Sequence, residues 1–337
     1  MRTRTVLAAL AAATLAATGT ANADADSRQK HACSASVAID GFSDALDKTT
    51  FDGAYVGNLS ALAVDRDGSL AALSDRSTLF RLGAKGPTGA VTLPGGLDSE
   101  GLAVDRDGSM LVTSETEPSV RRYSREGKLL ERLPVPADLQ VAPAGRATAN
   151  QTFEGLTLLP GGRTLLASME YALAGDDPGT VRFQTWTREH GRFRPGAQYA
   201  YRTDGPALGV SEVRAVPDGR LLVLERGFEA GVGNTVRLSL ADLRHATDTS
   251  RVGHLTGQPG VRPLGRTPLA DLADCPSLGA TARQPQPNPL LDNIEGMAVT
   301  GRDHAHRLKV TLVSDDNQNP SQTTRLYRLR VTAPGTG

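Results

Sequence analysis

The sequence predicts an all-β fold, a β-propeller of five or six blades. The first observation behind this prediction is a repeat, since Leu62–Ser69 recurs letter for letter at Leu102–Ser109, 40 residues later. Divergent copies begin at Leu156, Val213 and Met297, which makes five visible repeats. The copies contain two apolar runs around a hairpin turn, typically Asp-Gly or Gly-Gly, and no long segment shows a helical apolar period. A hairpin-rich unit of about 40 residues is typical of a propeller blade.

Three strands are predicted in each repeat, and the first is the apolar start of the copy itself. The second strands are predicted at Leu70–Leu73, Met110–Thr113, Thr164–Ala167, Leu221–Leu224 and Lys309–Val313. The third strands are predicted at Thr78–Leu82, Val120–Tyr123, Val181–Thr187, Thr235–Leu240 and Arg325–Val331. Because tight turns join these short strands, we expect them to pair antiparallel within one blade.

The two ends of the chain are expected to close the ring. The last repeat stops after its third strand and Ser36–Ile39 has strand character, so we infer that this N-terminal strand completes the final blade. The long Pro-rich stretch Ala241–Leu291 leaves room for a degenerate sixth blade. Cys33 and Cys275 are the two cysteines of the chain, and an even pair in an exported protein favours a disulfide. Such a bond would pin the closing strand.

Residues 1–23 are typical of a secretory signal peptide. Two arginines precede a short apolar stretch, and Ala21-Asn22-Ala23 offers a small-x-small cleavage site. We expect a secreted protein with an N-terminal extension over 24–34 and a single domain over 35–337. A retained N-terminal anchor is the alternative, and no later stretch approaches the roughly 20 apolar residues of a membrane-spanning helix.

The composition argues against a nucleic-acid partner. The chain has 37 Lys and Arg residues against 37 Asp and Glu residues, whereas a nucleic-acid footprint needs a basic excess on one face. Aromatic residues make up 4% of the chain, too few for the stacking platforms that bind single strands. We expect instead a monomer that acts on a small anionic or ester substrate.

Acidic residues recur where the first two strands of each repeat meet one mouth of the channel. Just before the first strands stand Ser60, Glu100, Glu154, Ser211 and Glu295, and Gly follows each of the three Glu residues. The first strand of a propeller blade is innermost, so these side chains are expected to point toward the axis. The second strand returns to the same mouth, and its ends bring Asp75, Arg76, Glu115, Glu170, Glu225, Arg226, Asp315, Asp316 and Asn317.

These acids predict a divalent-cation site. Converging carboxylates repel one another unless a hard cation neutralises them, and oxygen ligands without His or Cys suit Ca²⁺ or Mg²⁺ better than Zn²⁺. The predicted ligands are Glu100, Glu154, Glu295, Asp75, Glu225, Asp315, Asp316 and Asn317, with Asn150 and Asn293 as further neutral donors. The alternative interpretation is that each acid is a solvated turn residue, as is common at strand ends.

Four residues at the same mouth are candidates for catalysis. Glu115 or Glu170 is the candidate general base, and Arg76 and Arg226 are candidates for neutralising charge in the transition state. For either arginine the alternative is an ion pair that relieves repulsion between the acids. The two Asp-Arg-Asp-Gly strings are interpreted as hairpin turns, because the rest of a calcium-binding loop is missing.

A series of short motifs runs through the repeats. It consists of Phe153-Glu154-Gly155-Leu156, Leu224-Glu225-Arg226, Asn293-Ile294-Glu295-Gly296-Met297 and Val313-Ser314-Asp315-Asp316-Asn317, preceded by Leu73-Ser74-Asp75-Arg76 and Ser114-Glu115. The series resembles the phytase-like family known for "esterase-like activity of phytase", over Asp40–Val331. The resemblance implies a secreted or periplasmic propeller that hydrolyses a phosphoester or ester. True β-propeller phytases carry a DDPAIW-like motif near their start, whereas the nearest string here, Asp176-Asp177-Pro178-Gly179, lies in the third repeat.

Three functions remain open on the sequence alone. The first is a divalent-cation-dependent hydrolase of a phosphoester or ester. The second is a lactone or carboxylester hydrolase, since gluconolactonase-like propellers are similar in holding a divalent ion with acids at the inner strand ends. The third is a non-catalytic exported binding or scaffold propeller, because a fold does not settle a function.

Overall fold

The computed structural model describes residues 30–335, which form five antiparallel four-stranded sheets and one short hairpin. The predicted signal peptide over 1–23 lies outside the described residues, as does the first part of the extension over 24–34. Within the described part of the chain, no helix combines the length and the apolar character needed to cross a membrane.

Each sheet is one blade, and its strands are arranged from the axis outward. Blade 1 contains β4 (Leu59–Val64), β5 (Leu70–Ser74), β6 (Thr78–Gly83) and β7 (Gly86–Thr92). Blade 2 contains β8 (Ser99–Val104), β9 (Met110–Ser114), β10 (Ser119–Tyr123) and β11 (Leu129–Leu133). Blade 3 contains β12 (Phe153–Leu158), β13 (Thr164–Met169), β14 (Thr180–Glu189) and β15 (Arg192–Arg202).

The remaining two blades and the linking hairpin complete the ring. Blade 4 contains β16 (Gly209–Ala215), β17 (Leu221–Glu229), β18 (Gly233–Asp242) and β19 (Gly265–Asp271). Blade 5 contains β20 (Ile294–Arg302), β21 (Leu308–Ser314), β22 (Leu326–Val331) and the N-terminal strand β1 (Val37–Ser43). A hairpin of β2 (Thr49–Phe51) and β3 (Ala54–Val56) links β1 to blade 1.

The number of blades is five, and the N-terminal strand closes the ring as predicted. β1 pairs antiparallel with β22 and so becomes the outer strand of blade 5. The stretch Ala241–Leu291 holds no sixth blade among its described residues, because its one complete strand, β19, is the outer strand of blade 4. The innermost strands β4, β8, β12, β16 and β20 contact one another in this order, and β20 contacts β4.

The predicted disulfide between Cys33 and Cys275 is formed. Cys33 lies just before β1, and Cys275 follows the 3-10 turn Leu272–Asp274 beyond β19, so the bond ties blade 5 to blade 4. The hydroxyl of Ser34 also donates to the carbonyl oxygen of Leu269 in β19, at 2.6 Å. The closing strand is therefore held at its start by a covalent bond as well as by its pairing with β22.

Apolar side chains fill the gaps between neighbouring blades. Phe80 of blade 1 and Val313 of blade 5 belong to one such cluster, and a larger one surrounds Trp186 in blade 3. The Trp186 ring meets the Phe153 ring edge to face, with 5.8 Å between their centroids. Because both faces of these sheets are covered, the inner strands are apolar along their length, and their starts at the axis are where polar side chains converge.

Candidate functional site

A β-bulge lies near the start of the innermost strand in every blade. The pairing of this strand with the second strand shifts register at Ser60, Glu100-Gly101, Glu154-Gly155, Ser211 and Glu295. A bulge leaves a residue unpaired and changes the direction of its side chain. Four of these residues, Ser60 and the three glutamates, line a cavity of about 510 Å³ at this mouth of the channel.

The glycines after the three glutamates let neighbouring innermost strands approach closely. A Cβ on Gly101 would lie 2.3 Å from the carbonyl oxygen of Glu154, and one on Gly155 would lie 2.4 Å from the backbone nitrogen of Val213. None of the three glycines has a left-handed φ. Space between the blades, rather than a special turn, therefore requires glycine at these positions.

The second strand of each blade places one further side chain at the same mouth. These side chains are Asp75, Glu115, Glu170 and Asp315, just past β5, β9, β13 and β21, and Arg226 in the same register of β17. The N–H of each of the four acids donates, at 2.6–2.9 Å, to the carbonyl oxygen two residues before its bulge, namely Asn58, Asp98, Thr152 and Asn293. A repeated backbone contact thus fixes the acids in four blades, and all five side chains line the cavity.

The structure does not bring the predicted ligand Glu225 to the cavity. Glu225 pairs with Val210 and precedes Arg226, and successive side chains of a strand point to opposite faces of the sheet. Its buried carboxylate instead accepts a hydrogen bond from the Tyr201 hydroxyl at 2.5 Å and forms an ion pair with Arg266 at 3.1 Å. Glu225 therefore stabilises the contact between blades 3 and 4.

Asp316 also lies outside the cavity, for the same reason of alternation. It follows Asp315, which lines the cavity, and its own side chain points away from the axis. The Asp316 carboxylate forms an ion pair with Lys48 at 2.5 Å and accepts hydrogen bonds from the Tyr55 hydroxyl and the Asn58 N–H. It thereby attaches the β2–β3 hairpin to blade 5.

The cavity is strongly acidic. Its lining includes eight carboxylates and two guanidinium groups, from Asp75, Asp98, Glu100, Glu115, Glu154, Glu170, Glu295, Asp315, Arg76 and Arg226. The acids Asp98, Glu100 and Glu115 each offer an oxygen within 4.8 Å of the others, and the same holds for Glu115, Glu154 and Glu170. Asn150, Asn293 and Asn317, the predicted neutral donors, are also in the lining. Oxygen atoms at this spacing suit a hard cation.

The carboxylates of Glu100 and Glu154 have neither a hydrogen bond nor an ion pair to another residue within 30–335. Their exposed fractions are 7% and 4%. Burial, followed by the charges of the neighbouring carboxylates, raises the pKa of both groups well above the usual range. A buried carboxylate without a partner is costly when charged, so these two residues must either carry protons or meet a cation.

The pKa values of the second-strand acids are raised toward neutrality. Burial and the nearby Glu170 raise the pKa of Glu115 to about 8. Burial also raises the pKa of Glu170 to about 7, although the charge of Arg226 opposes the change. For Asp75 burial raises the pKa to about 6. In the absence of a cation, several of these groups would share protons at neutral pH.

The two predicted arginines occupy different positions in the cavity. Nη2 of Arg226 lies 3.3 Å from Oε1 of Glu170 and 3.1 Å from Oε1 of Glu295, so it bridges two blades. Its Nε is buried without a hydrogen-bond partner. The Arg76 side chain is 72% exposed at the rim, 3.5 Å from Asp75. Arg226 therefore balances charge inside the cavity, while Arg76 is free to reach a ligand.

Arg214, which the sequence reasoning missed, closes the channel beneath the acidic cavity. Its guanidinium donates to the carbonyl oxygens of Leu62, Leu102, Leu156 and Met297, one in each of the other innermost strands, at 2.5–2.7 Å. These carbonyls lie two residues beyond the bulge position of each blade. Nη2 of Arg214 also donates to buried Glu212 at 2.7 Å. A single side chain thus joins all five blades at the axis.

Six cavity residues were also missed by the sequence reasoning. They are Asp98, Phe228, Asn234, Gln284, Asn319 and Gln322. Asp98 stands two residues before Glu100. Side chains at this spacing in an extended strand point to the same face, so Asp98 could have been predicted from Glu100. The other five come from the β17–β18 hairpin, the Pro-rich stretch after blade 4 and the connection between β21 and β22, which the aligned repeats do not share.

The solved structures similar to this chain are distant from it in sequence. No curated protein matches the sequence. A gluconolactonase structure from Xanthomonas campestris is similar with a TM-score of 0.41 at 16% identity, over 83% of this chain and 74% of that chain. A PQQ-bound aldose sugar dehydrogenase from Streptomyces coelicolor has a TM-score of 0.43 at 14% identity, over 89% and 99%. Similarities this distant identify neither a substrate nor a reaction for this chain.

A family model matches most of the chain. A family model described as phytase-like, with esterase-like activity of phytase, matches residues 54–318. This range runs from β3 to the loop after β21 and contains all eight cavity acids and both cavity arginines. The chain therefore belongs to the phytase-like family.

Proposed function

We propose that this protein is an exported hydrolase that binds a divalent cation, Ca²⁺, in the acidic cavity and cleaves a phosphoester or ester there. The observation that carries the proposal is the pair of buried, unpartnered carboxylates of Glu100 and Glu154 beside acids that offer oxygens within 4.8 Å of one another. The family match supports hydrolysis. Residues 1–23 and the disulfide support export, since disulfides persist in oxidising compartments.

The cation is assigned to Asp98, Glu100 and Glu115, with Glu154 beside them. Among the described residues these four carboxylates have no cationic partner, whereas Glu170 already has one in Arg226. Carboxylate and amide oxygens are the ligands that Ca²⁺ prefers, and its coordination tolerates an irregular set. Glu115 belongs to both groups of acids that could hold a cation, so we assign it as a ligand. We therefore assign Glu170 as the general base. Glu295, Asp75, Asp315 and Asn317 surround this centre.

The side chains of the chain itself supply binding, orientation and proton transfer. Bound Ca²⁺ supplies Lewis-acid polarisation of a phosphoryl or carbonyl oxygen. With a pKa of about 7, Glu170 is suited to accept a proton from water at neutral pH, and Nη2 of Arg226 holds its Oε1 in place. The unpartnered Nε of Arg226 and the exposed guanidinium of Arg76 offer donors to the negative charge that develops on the substrate.

Calorimetric titration of Ca²⁺ into the chelator-stripped mature protein tests the site. We expect saturable binding that weakens roughly tenfold or more in Glu100→Gln and Glu154→Gln, because each variant removes a charged oxygen ligand. Glu126→Gln, in the exposed turn between β10 and β11, is the matched control and should bind like the wild type. An absence of Ca²⁺ binding to the wild-type protein would overturn the cation site.

Hydrolysis of p-nitrophenyl phosphate and p-nitrophenyl acetate tests the reaction. Turnover that stops with a chelator and returns with Ca²⁺ supports the proposal. Turnover that is insensitive to the chelator contradicts the role of the cation. Intact Ca²⁺ binding without turnover of either ester, or of a lactone panel, would indicate the non-catalytic binding or scaffold propeller instead.

A further inference from the structure

The β17–β18 hairpin stands over one side of the acidic cavity. β17 has nine residues, which makes it the longest second strand among the five blades, and β18 has ten. Phe228 and Asn234 are direct partners across this hairpin, and both line the cavity. The extended hairpin of blade 4 therefore forms one wall of the cavity.

Phe228 presents an aromatic ring at the rim of this wall. Its exposed fraction is 57%, and that of Val232 at the tip of the same hairpin is 51%. Leu130, on the outer strand of blade 2, is the third large hydrophobic residue exposed to this extent in the described chain. Of these three side chains, Phe228 lines the cavity, whose other lining side chains are polar. Ligand sites characteristically combine an aromatic surface with a few placed polar groups.

Two side-chain amides share the cavity lining with Phe228 and have unpaired nitrogens. Asn234 is 1% exposed, and its side-chain nitrogen has no hydrogen-bond acceptor. The side-chain nitrogen of Gln284 is also buried without a hydrogen-bond partner. Both residues line the cavity. Leaving a buried donor unsatisfied costs free energy, which an oxygen atom of a ligand would recover.

The Pro-rich loop after blade 4 fixes the position of this wall. Oε1 of Gln286 accepts a hydrogen bond from the backbone N–H of Asn234 at 2.8 Å. Gly233 has a φ of +111°, and a Cβ there would lie 2.5 Å from both Oε1 of Gln286 and the carbonyl oxygen of Pro285. Loop and hairpin are therefore packed together without room for a side chain, and the two amide nitrogens are held in place before a ligand arrives.

We propose that Phe228, Asn234 and Gln284 form a subsite for the alcohol portion of the substrate, an aromatic ring that carries an oxygen acceptor. The ring stacks on Phe228, and its oxygen accepts from the amides of Asn234 and Gln284. The substrate class is accordingly a phosphoester or ester of an aryl-bearing alcohol. This inference rests on the proposed hydrolase function and specifies its substrate.

A comparison of matched substrates tests the subsite with the Ca²⁺-loaded mature protein. 3-Methoxybenzyl phosphate and ethyl phosphate, and 3-methoxybenzyl acetate and ethyl acetate, differ in the oxygen-bearing ring while their leaving alcohols are chemically similar. We expect Phe228→Ala to lower kcat/KM for the 3-methoxybenzyl ester about fivefold to tenfold, the scale of a lost aromatic contact, and the ethyl ester to change by less than about twofold. Leu130→Ala, an equally exposed residue on another blade, is the control and should change neither.

A binding measurement separates the subsite from the chemistry. 3-Methoxybenzylphosphonate and ethylphosphonate cannot be hydrolysed at the phosphorus–carbon bond, and their calorimetric affinities should show the same preference and the same loss in Phe228→Ala. Equal 3-methoxybenzyl-to-ethyl ratios in the wild type and Phe228→Ala would overturn this inference and leave the hydrolase function intact. If none of the four esters is hydrolysed and neither phosphonate binds, the proposed function fails and the subsite fails with it.

Discussion

Arg214 contributes to stability by satisfying one carbonyl oxygen in each of the four other innermost strands. Replacing it with Met removes these hydrogen bonds and leaves Glu212 buried without its cation. We therefore expect Arg214→Met to lower the free energy of unfolding by about 3–5 kcal/mol. Urea denaturation of the chelator-stripped protein measures this difference.

The control for this prediction is Arg106→Met in the exposed turn of blade 2. Arg106 has no ion pair with another residue in 30–335, so its replacement should change the free energy of unfolding by less than about 0.5 kcal/mol. Equal stability of Arg214→Met and Arg106→Met would mean that water satisfies the carbonyls at the axis when the guanidinium is gone.

Single residues also show how far the sequence could predict this site. The positions of Glu100, Glu154 and Glu295 were predictable, because the repeats align them and the fold puts the first strand at the axis. Glu225 was misplaced because a register difference of one residue decides which face of a strand a side chain occupies. The role of Arg214 depends on carbonyl oxygens from four other blades, and no local pattern encodes that arrangement.

At the scale of strands, the disulfide determines how firmly β1 closes the ring. β1 is an outer strand, and β22 is its one partner strand within the described sheets. The cysteines that anchor it are 242 residues apart. Cross-linking a loop of this size restricts the unfolded chain strongly, so we expect the Cys33→Ser/Cys275→Ser variant to lose about 2–5 kcal/mol of stability. Urea denaturation gives the total loss, and hydrogen exchange should show it first at the amides of β1.

Chemical reduction provides the comparison for the double variant. The reduced wild-type protein should unfold at the same urea concentration as Cys33→Ser/Cys275→Ser, and the oxidised wild type at a higher one. If β1 exchanges its amide protons equally slowly in all three samples, pairing with β22 alone holds the strand, and the disulfide does not contribute to closure.

The outer strands were the elements that the sequence predicted least well. β19 lies in the Pro-rich stretch that was considered for a sixth blade, and β7 has the sequence Gly-Pro-Thr-Gly-Ala-Val-Thr with no fully buried residue. An outer strand packs on fewer neighbours than an inner one, so its apolar pattern is weak. The inner three strands of each blade, which are covered on both faces, were predicted from their apolar runs.

At the scale of the whole molecule, ring closure forces acids from separate blades into one cavity. A single acidic residue at the end of a strand is common, but this fold places eight carboxylates around one axis. Their repulsion and burial oppose ionisation, and Arg226 offsets part of the charge. The metal-free protein must therefore take up protons in the cavity as it folds, and this links its stability to pH.

The sign of that linkage follows from the pKa shifts. The pKa values of Asp75, Glu170 and Glu115 in the folded protein are about 6, 7 and 8, above the values near 4 of the unfolded chain. The folded state then binds more protons than the unfolded state, so stability is fully present below the unfolded pKa values and decreases as the pH rises through the folded ones. We expect the Tm of chelator-treated protein to fall from about pH 5 to about pH 8.

Calcium should reverse this trend, because it binds the ionised carboxylates. Near pH 5 the carboxylates of the cavity are protonated, so Ca²⁺ must displace protons and binds weakly. Near pH 8 fewer protons compete with Ca²⁺ for these carboxylates. Excess Ca²⁺ should therefore raise the Tm much more near pH 8 than near pH 5, by an amount that follows its affinity for the folded state. Thermal denaturation at both pH values, with chelator and with Ca²⁺, measures the two shifts in Tm.

Glu154→Gln should reduce the Ca²⁺-dependent increase in Tm near pH 8. A Ca²⁺ effect of equal size at both pH values would show that the ion binds outside the acidic cavity.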